Sequence, residues 1–296
     1  MHSDAFSKCH PAVNLVFFLG AIVATVLIVH PAYVLASIAG AALYYMLLSG
    51  QKGLKRILVL LPIFVFVTAV NPLFNTYGDR VLFKVFGRPY TLEALLYGAS
   101  LAGVLVAMLL WFGCYNAVLT EDKFTSLFGN LAPALSLLLV MVLRMIPNLI
   151  KKGRQISGSR MSVGKDASNG RTLTEKISGG MLVVGTLMSW ALEGGVVTSD
   201  SMQARGYGTA KRTSFMIYRF TGSDGVLAAV IAALLAAIIA FCAKGAASAV
   251  FTPTLDIAPV RGTNLAGFIV FVIYMLIPSV MHIREAVQWN ISRSRI

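Results

Sequence analysis

The sequence predicts an all-α integral membrane protein with about six transmembrane helices and a polar module on one side of the membrane. Three observations predict it. The 296 residues are 57% hydrophobic and only 12% charged, with a mean hydropathy of +0.77, about half the charge of an ordinary soluble domain. Apolar runs near the spanning length recur along the chain. The polar sequence is concentrated in one internal stretch, 119–225.

The first run, 12–29, follows MHSDAFSKCHPAV. One lysine against one aspartate is a poor signal-peptide n-region, and a second apolar run follows almost at once. An uncleaved first membrane helix is the expectation. The second run is 32–48, with Pro31 and Gly50 punctuating the hairpin. The third, 57–70, is short, contains Pro62 and must borrow its flanks; Pro72 is expected to stop it. Runs at 94–118, 226–243 and 265–281 complete the six. Two other stretches are awkward. Residues 127–150 carry Pro133, Arg144 and Pro147, and 181–192 is too short to cross and runs into Glu193. Both are expected to be amphipathic or protein-packed helices near one surface. The predicted organisation is a membrane domain at 1–118, a polar module at 119–225 and a C-terminal membrane segment at 226–296.

Charge orients this arrangement. Of the 25 Lys and Arg residues, Arg80, Lys84, Arg88, Lys244 and Arg261 fall on the connections 71–93 and 244–264, and all the others on the opposite side. The positive-inside rule then puts both termini and the 119–225 module in the cytoplasm. The same rule accounts for the net charge of +13 and pI near 9.9. The basic residues form no soluble basic face, so nucleic acid is not the expected partner.

Catalytic chemistry finds little footing. The twelve acids form no pair within a span, and no HExxH, zinc cluster or Walker A sequence is present. GKDASNG at 164–170 lacks the order of a phosphate loop. Cys9, Cys114 and Cys242 are too scattered for a disulfide framework or metal site. His10 and His30 each precede a proline, which marks helix boundaries before it marks ligands. Ionisable groups are nearly missing from the spans, which disfavours a proton-coupled carrier. No catalytic, metal or cofactor residues are assigned. If the protein transports something, the energy source lies in a partner.

One short stretch suits a partner. In SDSMQARGYG, 199–208, Ser199 or Asp200 suits a helix N-cap or the close of the preceding helix. Ala204 permits close backbone approach. Arg205 offers a planar fork of donors for carboxylates, and Gly206 and Gly208 can take the left-handed conformation that ends a helix. On spacing alone, a peg into a protein socket and a basic loop on lipid headgroups fit equally well.

At these residues the chain resembles the transmembrane T component of energy-coupling factor (ECF) transporters, prokaryotic importers of cobalt and vitamins. CHPAVNLVFF at 9–18, NPLFNTYG at 71–78 and TEDKFTSLFGNLAPALSLLLVMVLRMIPNL at 120–149 resemble the family in the same order, and Ala204-Arg205-Gly206 completes the pattern. The resemblance implies a non-catalytic coupling subunit in the plasma membrane of a prokaryote. Two long cytoplasmic-side coupling helices would each dock a tip in one of two ABC-type ATPases. These would move a small substrate-binding (S) membrane subunit that carries a vitamin or metal ion. ATP and Mg would belong to the ATPases. One tip would be Ala204, Arg205 and Gly206. At the other, SGSRMSVGKD at 157–166, Gly164 and Asp166 fit but Val163 stands in the arginine's place, with Arg160 one turn earlier as its substitute. Gly185 and Ser189 have the small-xxx-small spacing of a helix crossing, Gly179 and Gly180 offer a hinge, and Arg144 a partner for Glu193. The competing reading is a permease subunit that lines its own pathway in another ABC-type transporter.

Overall fold

The computed structural model describes residues 5–75, 81–85, 88–120, 123–124, 126–127, 133–164, 172–209, 218, 220–250, 256–259 and 261–293. In chain order the elements are α1 Ala5–Lys8, α2 Pro11–Leu27, α3 Pro31–Ser49, α4 Gln51–Phe74, β1 Val81–Val85, β2 Arg88–Thr91 and α5 Leu92–Val118. Then follow α6 Pro133–Ser162, α7 Leu173–Ala204, α8 Gly222–Ala243, β3 Ala249–Val250, β4 Asp256–Ile257 and α9 Thr263–Arg293. Two compact units divide the chain: Met1–Phe124 with Tyr218–Ile296, and Thr125–Ile217.

Local chemistry sets the boundaries of the first unit. His10 and His30 cap α2 and α3: each Nδ1 accepts the N–H of the second residue on, Ala12 or Ala32, at 3.2 Å, and the intervening proline sits at N1. Proline suits that position because its missing N–H would be unsatisfied anyway. Gly50, at φ 55°, turns α3 into α4. The short third run does borrow its flanks, because α4 covers 24 residues. Pro72 does not stop it. The proline lies inside the helix, which ends at Phe74. Thr221 and Asp224 form a capping box at the start of α8, satisfying two helix-end donors reciprocally. The strands pair as two short antiparallel ribbons, β1 with β2 and β3 with β4, both on the connections 71–93 and 244–264.

Helix α2 spans 17 residues, about 26 Å at the usual rise and the short end of the spanning range. Six described helices are long and apolar enough to cross a membrane: Pro31–Ser49, Gly53–Phe74, Leu92–Val118, Leu173–Ala204, Gly222–Ala243 and Thr263–Trp289. The molecule is thus an all-α, multi-pass membrane protein. Membership of the six differs from expectation at two places: the 12–29 run, as the 17-residue α2, is not among them, and α7 is. The stretch 181–192 is no short fragment; it is the middle of the 32-residue α7. Capped at Thr172, α7 runs on through Glu193, Gly194 and Gly195.

The core of the first unit is aromatic. Phe6, Phe17, Phe18, Tyr44, Trp111, Phe271 and Tyr274 are fully buried. Phe17 stacks on Tyr274 at 5.0 Å between centroids and meets Phe6 edge-on at 5.2 Å, the geometries that ring quadrupoles favour. Several of the polar atoms inside are paired, while both side-chain atoms of the buried Asn14 and the hydroxyl of Ser279 make no hydrogen bond among the described residues. Trp111 Nε1 donates to Ser37 Oγ at 3.0 Å, Ser37 shares a hydrogen with Thr25 Oγ1 at 2.7 Å, and Tyr274 OH donates to the Phe17 carbonyl at 2.8 Å. Helices in lipid gain little from the hydrophobic effect between themselves, so close approach over small residues counts. A Cβ on Gly98 would come within 2.8 Å of Asn71 Cβ where α5 crosses α4, and one on Gly103 within 2.6 Å of Val34 Cγ1 where it crosses α3.

Candidate functional site

The second unit is built on α6 and α7. Lys152 of α6 lies over the Trp190 ring of α7, with Nζ 5.6 Å from its centroid. This cation–π contact ties the two helices near mid-length of the pair. Both helices leave large apolar side chains outside. On α6 these include Leu138, Val142, Ile146 and Ile150; on α7 Ile177, Met181, Met188 and Leu192. Only Gly179 of α7 is buried among its described residues. A helix apolar on its outer surface is suited to lipid or to another membrane protein.

The two helices end alike. In α7, Ala204 is the last helical residue, Arg205 is the C-cap at φ −84°, ψ 6°, and Gly206 follows at φ 78°. The Gly206 N–H donates to the Gln203 carbonyl at 2.9 Å and the Tyr207 N–H to the Met202 carbonyl at 3.0 Å. This pair of bonds is a Schellman turn, and its left-handed position is what selects glycine. In α6, Ser162 is the last helical residue, and Gly164 stands at φ 72° with its N–H bonded to the Met161 carbonyl at 3.0 Å. Turn for turn, Ser162-Val163-Gly164 corresponds to Ala204-Arg205-Gly206. Arg205 and Val163 are the C-cap residues of equivalent tips, and both are exposed.

Arg160 sits one turn back from its tip, half-buried, and lines an open groove with Lys152, Gln155, Ser159 and Val163 of α6 and Thr186 of α7. The groove has two cationic side chains and several hydroxyl or amide groups along it, a surface suited to an anionic group. All five of the sequence-derived site residues are therefore at helix ends: Gly164 and Arg160 at the end of α6, Ala204, Arg205 and Gly206 at the end of α7. Asp166 and the rest of the 164–170 stretch beyond Gly164 lie outside the described residues.

Several finer expectations are corrected. Ser199 and Asp200 cap nothing; both lie within the last turns of α7. Gly179 and Gly180 make no break, because α7 is helical without interruption from Leu173 to Ala204. A Cβ on Gly185 would meet open space, and Ser189 Oγ bonds back to the Gly185 carbonyl at 3.2 Å, so among the described residues no helix crosses there. Helix α6 approaches at Leu187 instead, whose Cδ1 would lie 3.4 Å from a Cβ on Gly153. Arg144 and Glu193 are both exposed and form no ion pair with each other. The missed feature of the site is the length of α7. Its signal was present in the Thr172–Glu175 capping box, which the structure forms.

Among curated proteins none matches the sequence. The profile of a family described as CbiQ, cobalt transport protein, matches residues 3–217. That stretch takes in the helices α1–α5 of the first unit and both tips of the second. Most of the chain is thereby covered, and the order of motifs, four of the six candidate spans and the paired tips fall within it: the chain belongs to the CbiQ family of cobalt transport proteins, the T components of energy-coupling factor transporters.

Proposed function

We propose that the protein is the non-catalytic coupling subunit of an ATP-driven importer of the energy-coupling factor type. Two ABC-type ATPases, which hold the ATP and Mg, dock on the tips of α6 and α7. Their movement is passed along these helices to a small substrate-binding membrane subunit that releases a vitamin or a metal ion such as cobalt into the cell. The observation that carries this reading is the pair of long helices ending in the same glycine turn, one of them with the exposed Arg205 at its C-cap. The Schellman turn places the exposed Arg205 at the very end of the helix, and its planar fork of donors suits a carboxylate in a socket. The first tip uses Arg160 and its groove in place of an arginine at Val163.

The exposed apolar residues of α6 and α7 support a membrane-embedded partner for the same helices. The distribution of Lys and Arg supports tips and termini on the cytoplasmic side of a prokaryotic plasma membrane, where ATPases can reach them. A gentle-detergent pull-down of the tagged chain from its native membrane tests the reading. Two cytosolic ATPases and one small, very hydrophobic protein are expected in the mass spectrum. Recovery of the chain alone, under conditions that keep other membrane complexes whole, sinks it.

A further inference from the structure

Of five consecutive residues near the N-terminus, Phe6, Ser7, Lys8 and His10 are each tied elsewhere in the first unit, and the Cys9 thiol bonds to the Ala5 carbonyl. Phe6 is fully buried and packs edge-on against Phe17, Phe18 and Tyr44. Ser7 receives two bonds from Lys123, one to its carbonyl and one to Oγ at 2.8 Å. Lys8 pairs with Glu285 of α9. The His10 N–H donates to Asp224 Oδ1 at 3.0 Å, and the His10 ring meets Phe220 edge-on at 5.3 Å.

Two of these ties fall at special places. The chain leaves the first unit after Phe124 and returns to it at Tyr218. Lys123 is the second-last residue before departure, and Phe220, Thr221 and Asp224 follow directly on the return. Lys123 is 8% exposed and Asp224 6%. The third N–H of Lys123 goes to the Val118 carbonyl at 3.0 Å, in the last turn of α5, so the ammonium fastens the N-terminal segment to the end of that helix. Asp224 Oδ2 accepts from Thr221 N at 3.0 Å and from Thr221 Oγ1 at 2.7 Å, while its other oxygen holds His10. A buried charge is tolerable only when its hydrogen-bonding capacity is met, and removing one partner costs far more than the bond itself returns. These are stiff fastenings. Between Ser7 and His10 only Lys8 and Cys9 intervene.

We propose that Phe6–His10 is a clasp that joins the two chain crossings of the 125–217 module into one mechanical junction, with Lys123 and Asp224 as its positioning residues. Movement reaching one crossing is then shared with the other and with the aromatic core through Phe6, and is not lost in bending of two separate linkers. The proposal rests on the reading of 125–217 as the module that carries ATPase motion, but the clasp itself is testable without the ATPases.

Hydrogen exchange on the purified chain reads the clasp directly. Lys123→Met is expected to raise amide exchange about fivefold or more at 221–225, on the far side of the clasp, and Asp224→Ala to do so at 119–124. Unchanged exchange across the clasp in either variant overturns the proposal, since the two crossings are then held independently. Where Lys123→Met does not fold, Ser7→Ala, which removes one acceptor and keeps the backbone one, is read in the same way. In the complete complex, uptake per ATP hydrolysed is expected to fall about fivefold or more in Lys123→Met with the ATPases still bound. Altered exchange with an unchanged ratio overturns the mechanical role. If the native chain retains no ATPases, the proposed function fails, and the exchange measurement still decides on the clasp.

Discussion

At the scale of single residues, Arg205 and Val163 occupy the same backbone position on two equivalent tips, and only one of them carries charge. The turn itself is fixed by glycine in both, because a φ near +75° penalises any Cβ by about 1–2 kcal/mol. The sequence-level view of Ala204-Arg205-Gly206 left a peg and a headgroup contact equally open. The Schellman bonds fix where the arginine stands at the helix end, and the proposed peg uses that position. Truncating a central interface arginine typically costs about 2 kcal/mol, roughly thirtyfold in affinity. Arg205→Ala is therefore expected to lose ATPases in a pull-down, or to keep them and lose ATP-driven uptake, while Arg205→Lys recovers only part because lysine lacks the planar fork. Normal uptake by an intact Arg205→Ala complex would exclude the peg. Arg160 was legible as an arginine one helical turn before the place of the missing one; its groove was not, because Thr186 reaches it from another helix.

At the scale of elements, the sequence told most where the determinants are local. His-Pro at 10–11 and 30–31 and Gly50 mark helix ends that the structure forms, and the Thr-x-x-acid boxes at 172–175 and 221–224, equally local, went unread. Reading failed where a local breaker was outvoted. Pro72 lies too near the end of α4 to break much of it. The Gly179-Gly180 and Gly194-Gly195 pairs, each about 1 kcal/mol per residue less favourable than alanine, do not interrupt α7 because the long helix around them supplies the missing propensity. Glu193 ended the apolar run without ending the helix. The two ribbons escaped notice for a different reason: strand pairing is a property of two segments, and neither β1 nor β2 alternates clearly on its own. A straight α7 makes a distinct prediction. A Cβ at Gly180 would meet nothing within 4 Å, so Gly180→Ala should leave uptake unchanged and stabilise the chain by about 0.5–1 kcal/mol, visible as a small rise in Tm in detergent. Loss of uptake in this variant, with the protein folded, would restore a hinge to this helix.

At the scale of the whole molecule, a multi-pass chain with six long apolar helices was legible because run length and charge are additive along the chain, but the place of α7 among them was not, since Glu193 splits its apolar run. The ends of the first unit were sorted by these rules before any contact was known, and the contacts agree in kind. Lys123 meets Ser7, His10 meets Asp224 and Lys8 meets Glu285, while His30 Nε2 and the Ala258 carbonyl lie 3.0 Å apart among the connections assigned to the opposite side. What no local rule gave was the clasp, whose partners lie 116 and 214 residues apart in sequence. The orientation of the chain has a direct test, and both the proposed ATPase docking and the proposed mechanical junction depend on it. In a variant freed of Cys9, Cys114 and Cys242, a single cysteine replaces either Lys84, exposed on β1, or Ser199, exposed near the tip of α7. A maleimide that cannot cross membranes is expected to label Lys84→Cys in intact cells and Ser199→Cys only after permeabilisation. The reverse pattern would put the tips where no ATP is supplied, and a chain so oriented could not be driven by ATPases at Arg205. The expected pattern follows from the lysines and arginines, because moving so many cations across the bilayer is what the positive-inside bias avoids.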